Sequence, residues 1–145
     1  MKIGNEIIIN RKRDDVWKIF GNPENLKKWQ PTLKKYERQA GRHREAGAGS
    51  ILIYEEKGRE IAMTETITSW NEPTEFSCIY LTSQAANKVS NKFFSLGASK
   101  TKWVMDCEIS FYGFTWKLLS PLMRGTIRKR IKKLMTQFKK FAEGR

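Results

Sequence analysis

Lys102-Trp103-Val104-Met105-Asp106-Cys107-Glu108-Ile109-Ser110-Phe111 decides the fold, because its apolar residues take alternate positions and the period changes soon afterwards. Successive side chains of a strand point to opposite faces, so Trp103, Met105, Cys107, Ile109 and Phe111 share an inward face while Asp106 and Glu108 meet water. Past Gly113 the apolar residues return at helical spacing. Ile127, Ile131, Leu134, Phe138 and Phe141 follow at steps of four, three, four and three, with Arg128, Lys129, Lys132, Lys133, Lys139 and Lys140 on the opposite arc. Ser120-Pro121 reads as an N-cap and first helical residue, and Gly144 as the stop. The spacing therefore predicts a helix over 121–143, about 33 Å long at 1.5 Å per residue, enough to cross a small sheet.

Working back along the chain, alternation assigns faces to three more runs. Lys88, Ser90 and Lys92 read as exposed, which turns Asn87, Val89, Asn91 and Phe93 inward. Phe76, Cys78 and Tyr80 form a similar row, and in residues 61–68 the inward set is Ile61, Met63, Glu65 and Ile67. Glu65 is the odd member: an unpaired buried carboxylate is costly and its pKa rises. Two interiors fit this pattern equally, a polar, partly wet cavity or a closed core whose polar groups satisfy one another.

Residues 3–9 read as a first strand, ended by Asn10-Arg11-Lys12-Arg13. Asp14 and Asp15 favour a helix N-terminus, Val16, Ile19 and Phe20 recur at helical spacing, and Gly21 stops the turn. Asn22-Pro23 starts a second short helix over 23–28 that ends near Trp29, before Pro31. Then Gly-containing residues 41–49, Lys57-Gly58, Asn71-Glu72-Pro73 and Gly97-Ala98-Ser99 punctuate five or six runs rich in Ile, Thr, Tyr, Phe and Trp. Neighbouring runs joined by short turns are antiparallel strands.

A chain of 145 residues falls in the size range of one domain, 1–145, with no repeat or linker at which to divide it. Lys and Arg outnumber Asp and Glu by 28 to 15, a formal charge of +13 that attracts polyanions without specifying a fold. No apolar run reaches the ~18 residues of a membrane span, so a soluble, cytoplasmic protein is expected. Cys78 and Cys107 lie in strands and read as free, buried thiols of a reducing compartment. With one histidine, His43, in the loop Gly41-Arg42-His43-Arg44, and no zinc spacing of cysteines, no metal or cofactor is expected. Nucleophile elbows and phosphate loops are absent as motifs.

The order strand, two short helices, antiparallel strands and long terminal helix resembles the helix-grip fold of the START-related superfamily, most closely its bacterial polyketide cyclase/dehydrase-like branch. The resemblance is carried by Asp15-Val16-Trp17-Lys18-Ile19-Phe20, Pro23-Glu24-Asn25-Leu26-Lys27-Lys28-Trp29, Thr64-Glu65-Thr66-Ile67-Thr68 and Gly113-Phe114. It implies an α+β domain in which a curved antiparallel sheet of six to seven strands wraps around the C-terminal helix, with a ligand cavity between them. Trp29 and Pro31 would stand at the mouth. Glu65, Asn87, Asn91, Trp103 and Met105 would line the sheet side, and Met123, Ile127 and Ile131 would close it from the helix. From the alternation, Met63, Tyr80 and Phe93 join the inward lining.

The leading expectation is non-covalent binding or transport of a small hydrophobic molecule such as a lipid, isoprenoid or polyketide-like aromatic. A cyclase/dehydrase-like enzyme using Glu65 as general acid or base, with Tyr80 or an inward asparagine stabilising an enolate, is the alternative. A third reading starts from Lys129, Lys132, Lys133 and Lys140, an arc that would dock on an anionic membrane; nucleic acid is disfavoured because the aromatics alternate into the core. Either a monomer or a homodimer fits.

Overall fold

Residues 1–42 and 44–144 are described by a computed structural model; His43 and Arg145 lie outside the described residues. The elements run β1 (Lys2–Ile9), α1 (Arg13–Gly21), a 3-10 turn (Pro23–Asn25), α2 (Leu26–Trp29), β2 (Leu33–Ala40), β3 (Gly49–Glu56), β4 (Arg59–Asn71), β5 (Glu75–Leu81), β6 (Ala85–Ser95), β7 (Thr101–Phe111) and α3 (Phe114–Ala142). Because the connections from β2 to β7 are short, each strand folds back on its predecessor. The resulting seven-stranded sheet has the order β1-β7-β6-β5-β4-β3-β2, with every pair antiparallel.

Local chemistry places the boundaries. The Asn22 side-chain oxygen accepts the Glu24 N–H at 3.0 Å, capping the turn that Pro23 opens. Lys57 and Gly58 both take positive φ, 52° and 77°, the conformation a two-residue hairpin demands between β3 and β4. A register shift between Ile67 and Ser69 reverses the facing of β4 beyond that point, so Trp70 points to the same side as Ile67.

α3 is longer than its sequence suggests. It begins at Phe114, and Pro121 stands inside it. Proline removes the N–H that would bond the carbonyl of Lys117, but the Ser120 hydroxyl donates to that carbonyl at 2.9 Å and lets the helix continue. Ser120 and Pro121 are therefore an internal repair, not a start signal. At the far end Gly144, at φ 76°, donates its N–H to the Phe141 carbonyl at 3.1 Å, as a glycine stop should.

The second half of α3 is fastened to the sheet. Asn10 N–H donates to Glu143 Oε2 at 2.7 Å, and the Arg11 guanidinium donates to the Ala142 carbonyl at 3.1 Å. Met135, Phe138 and Ala142 are buried there. Phe20 of α1 sits at the centre of the core, 5.1–6.2 Å by ring centroids from Trp29, Phe76, Phe93, Trp103 and Phe138. This aromatic packing fills the space between the sheet and the second half of the helix. Cys78 and Cys107 are buried and free. Val89 of the intervening strand separates them in register, so their backbones lie about 10 Å apart, beyond the ~7 Å limit for a disulfide.

Candidate ligand site on the concave face

Strand register carries five side chains into one line across the sheet. Ile109, Asn87, Tyr80, Glu65 and Ser50 are successive partners on β7, β6, β5, β4 and β3. All share the face that α3 covers, so a polar row crosses an otherwise apolar surface. Period-two alternation puts Asn87, Tyr80 and Glu65 inward for the same reason it does so for Val89, Cys78 and Ile67.

Glu65 is 8% exposed. Its Oε2 accepts a hydrogen bond of 2.7 Å from the Tyr80 hydroxyl. Burial pushes its pKa above the ordinary carboxylate value, and the Tyr80 bond partly counters the shift by favouring the charged form. Tyr80 titrates well above its ordinary value, chiefly through burial and then through the negative charge that would develop beside Cys78 and Glu65. Tyr54 and Tyr36 are also raised, first by burial and then by Glu65 among other groups. All three phenols are therefore hydroxyl donors at neutral pH.

Around this row the polar contacts are short and local. Ser50 Oγ donates to the Tyr36 hydroxyl at 3.1 Å, and the Tyr54 hydroxyl donates to Gln30 Oε1 at 2.7 Å. Asn87 Oδ1 is buried without a hydrogen-bond partner among the described residues, as are Asn5 Nδ2 and Trp29 Nε1. Burial raises the Cys107 thiol to about 11, with a hydrogen bond donated by the Asn87 amide opposing the shift.

The expected site residues divide into two groups. Met63, Tyr80 and Asn87 are partly buried around Glu65, and Met123, Ile127 and Ile131 are partly buried on α3. Ile61, expected inward, is 37% exposed near the β3–β4 turn, where the sheet outruns its cover. Asn91, Phe93, Trp103 and Met105 instead belong to the aromatic core. Trp103 is wholly buried, its indole N–H donating to Asn91 Oδ1 at 3.0 Å, while Asn91 Nδ2 donates to the Phe76 carbonyl at 3.3 Å. Trp29 stacks on Phe20 and is buried beside Phe138, and Pro31 is exposed in the turn before β2. The inner face is thus solid toward the helix C-terminus and less fully covered around Glu65.

Tyr36, Ser50, Tyr54 and Gln30 were not among the expected residues. Ser50, Leu52 and Tyr54 do alternate, but Ile51 and Ile53 make the other face of β3 equally apolar, so the pattern does not choose between them. In β2 a register shift between Leu33 and Lys35 interrupts the alternation before Tyr36. A hollow of about 650 Å³ lies on the opposite, convex face, along Gly4, Ser77, Lys88, Ser90, Asp106 and Glu108. It contains none of the expected ligand residues, and its mixed charges on outward strand positions mark it as a trough of the twisted sheet. Among the described residues no group of His, Cys, Asp or Glu could hold a metal ion.

The sequence matches the family described as polyketide cyclase / dehydrase and lipid transport over residues 1–143. The chain belongs to this family. Its helix-grip fold is that of a START superfamily protein from Mycobacterium smegmatis, with a TM-score of 0.81 at 12% identity over 99% of this chain and 97% of that one. A protein from Thermus thermophilus superposes at 0.80, with 14% identity over 98% and 97%. The Zhui aromatase/cyclase from a Streptomyces species superposes at 0.71, with 12% identity over 97% and 95%. No curated protein matches the chain in sequence. At these identities the polyketide cyclase / dehydrase and lipid transport family shares architecture with its structural neighbours, and the chemistry must be argued from the residues themselves.

Proposed function

We propose that the protein binds a small, mainly apolar molecule of lipid, isoprenoid or polyketide type against the concave face, with a polar end directed at Glu65, Tyr80 and Asn87. The observation that carries this reading is the polar row itself. It crosses an apolar face where that face is incompletely covered, and it leaves the Asn87 carbonyl oxygen unpaired. Buried polar atoms normally have partners, and a ligand hydroxyl or amide would supply one. The family's description as one of lipid transport agrees with such a ligand class.

Native mass spectrometry and thermal shift against fatty acids, isoprenoid alcohols and polycyclic aromatics test the reading. A ligand at a hundredfold excess over its Kd adds about 2.7 kcal/mol, which raises the Tm by roughly 5–11 °C for a domain of this size. The expected result is a one-to-one adduct whose shift falls when Asn87 is replaced by Leu. Absence of any retained mass or shift across all three classes removes the proposal.

A second reading, acid-base chemistry at Glu65, is favoured by one observation, a carboxyl whose raised pKa is set beside a hydroxyl donor. A base at this position would take a proton from the carbon next to a bound ketone; as Glu65 becomes neutral, the Tyr80 hydroxyl that donates to it in the resting structure is released to donate to the developing enolate oxygen. Deuterium exchange at that carbon, followed by NMR, should then occur in the natural protein and vanish in Glu65→Gln. Equal exchange in both excludes the role.

A further inference from the structure

The outer face of α3 carries two features in line. Phe114, Leu118 and Leu122 follow one another at steps of four and are 80%, 66% and 81% exposed. Continuing along the same face at helical spacing come Lys129, Lys133 and Lys140, with Lys132 beside them, all exposed. Leucines so exposed on consecutive turns contribute nothing to the fold, and their stripe lies opposite the residues that pack on the sheet.

Charge selects what covers this face. The 29 residues of α3 include nine Lys and Arg and no Asp or Glu. Cations spaced three and four apart repel one another unless an anionic surface meets them. A second copy of the chain would bring two such helices together, like charge against like, so self-association is disfavoured. A nucleic acid would suit the lysines but would leave the aliphatic side chains of Leu118 and Leu122 without a partner. Only a surface that is anionic outside and apolar beneath satisfies both halves.

We propose that the outer face of α3 docks on an anionic lipid bilayer, its first turns entering the interface and its lysines meeting the headgroups. From Phe114 to Leu122 the apolar stripe runs about 12 Å along the axis at 1.5 Å per residue, and a helix lying in the interface plane sinks such a face ~5–10 Å. The cationic stem beyond Gly125 lies where the headgroup phosphates would be. The docking surface stands on exposure and charge, independently of what the concave face binds.

Vesicle co-sedimentation with phosphatidylcholine alone and with phosphatidylcholine containing phosphatidylglycerol tests this, using the full chain. Binding is expected only to the anionic vesicles and should weaken as salt rises. The triple substitution Lys129→Gln, Lys132→Gln, Lys133→Gln should lower partitioning by about a hundredfold, at roughly fivefold per cation. Phe114→Ser with Leu122→Ser should lower it by at least about tenfold, from the lost burial of apolar area. These side chains are exposed, so thermal melts of both variants should match the natural protein. Equal binding to neutral vesicles, no binding to either, or undiminished binding by the Phe114/Leu122 variant overturns the proposal. So does a dimer in sedimentation that the same variant dissociates, or tighter salt-sensitive binding to an oligonucleotide than to the vesicles. The thermal shifts that test ligand binding at Asn87 are read on these same variants and should be unchanged, so the two proposals fail separately.

Discussion

The Tyr80 hydroxyl donates a 2.7 Å hydrogen bond to Oε2 of Glu65, joining side chains that are direct register partners on adjacent strands. Burial works against the charged carboxyl, and this bond works for it. In Tyr80→Phe only the opposing influence is removed. The Glu65 pKa should therefore move further above its ordinary value, as read by carbon-13 NMR titration of the labelled carboxyl. A lower pKa in that variant would mean that the bond does not favour the charged form.

Stability should depend on pH through the same group. The folded pKa of Glu65 lies above its ordinary value of 4.5, so the folded state holds its proton more tightly than the unfolded chain. The corresponding contribution is fully present below about pH 4.5 and is lost as pH rises through the folded pKa. Glu65→Gln keeps an oxygen to accept from Tyr80 and has no charge to bury. Urea unfolding should find the variant and the natural protein closest near pH 4, with the variant gaining in relative stability toward pH 7. A difference that is constant with pH would show that Glu65 is not the titrating group.

Asn91 joins two strands to a tryptophan. It accepts from the Trp103 indole and donates to the Phe76 carbonyl, and it is 2% exposed. Asn91→Ala leaves a buried donor unsatisfied and opens a small void. About 2–4 kcal/mol of stability should be lost by denaturant titration, from the orphaned polar groups together with the cavity. A loss below about 1 kcal/mol would indicate that water replaces the amide.

Phe138 anchors the second half of α3 through ring contacts at 5.0–5.4 Å with Phe20, Trp29 and Trp103. Phe138→Ala should cost about 3–5 kcal/mol. Substituting Arg130, which pairs with Glu56 of β3 at an exposed site, should change stability by less than about 1 kcal/mol. Similar effects from both would mean that the helix is held by charge and not by packing.

Strand facing was legible because each strand is its own ruler. The alternation in residues 102–111 put Trp103, Met105 and Cys107 inward, and it carried Glu65 inward in residues 61–68, where the structure also has it. Facing was illegible where both sides of a strand are apolar, as in β3, or where a shifted register interrupts the count, as in β2. The start of α3 was misread because Pro121 is ordinarily a first-turn residue. Its tolerance inside the helix depends on Ser120 reaching the Lys117 carbonyl.

The sequence by itself determined the kinds of element, their order and the inward side of most strands, because these follow from spacings of two, three and four residues along one chain. Tertiary structure decided which inward residues fill a core and which border the Glu65 row. Asn91 and Asn87 have the same facing on the same strand, yet one is locked between Trp103 and Phe76 and the other keeps an unpaired oxygen. That difference arises from where α1 and the second half of α3 press on the sheet, through contacts between residues such as Phe20 and Phe138 that are distant in the chain. No local period encodes it.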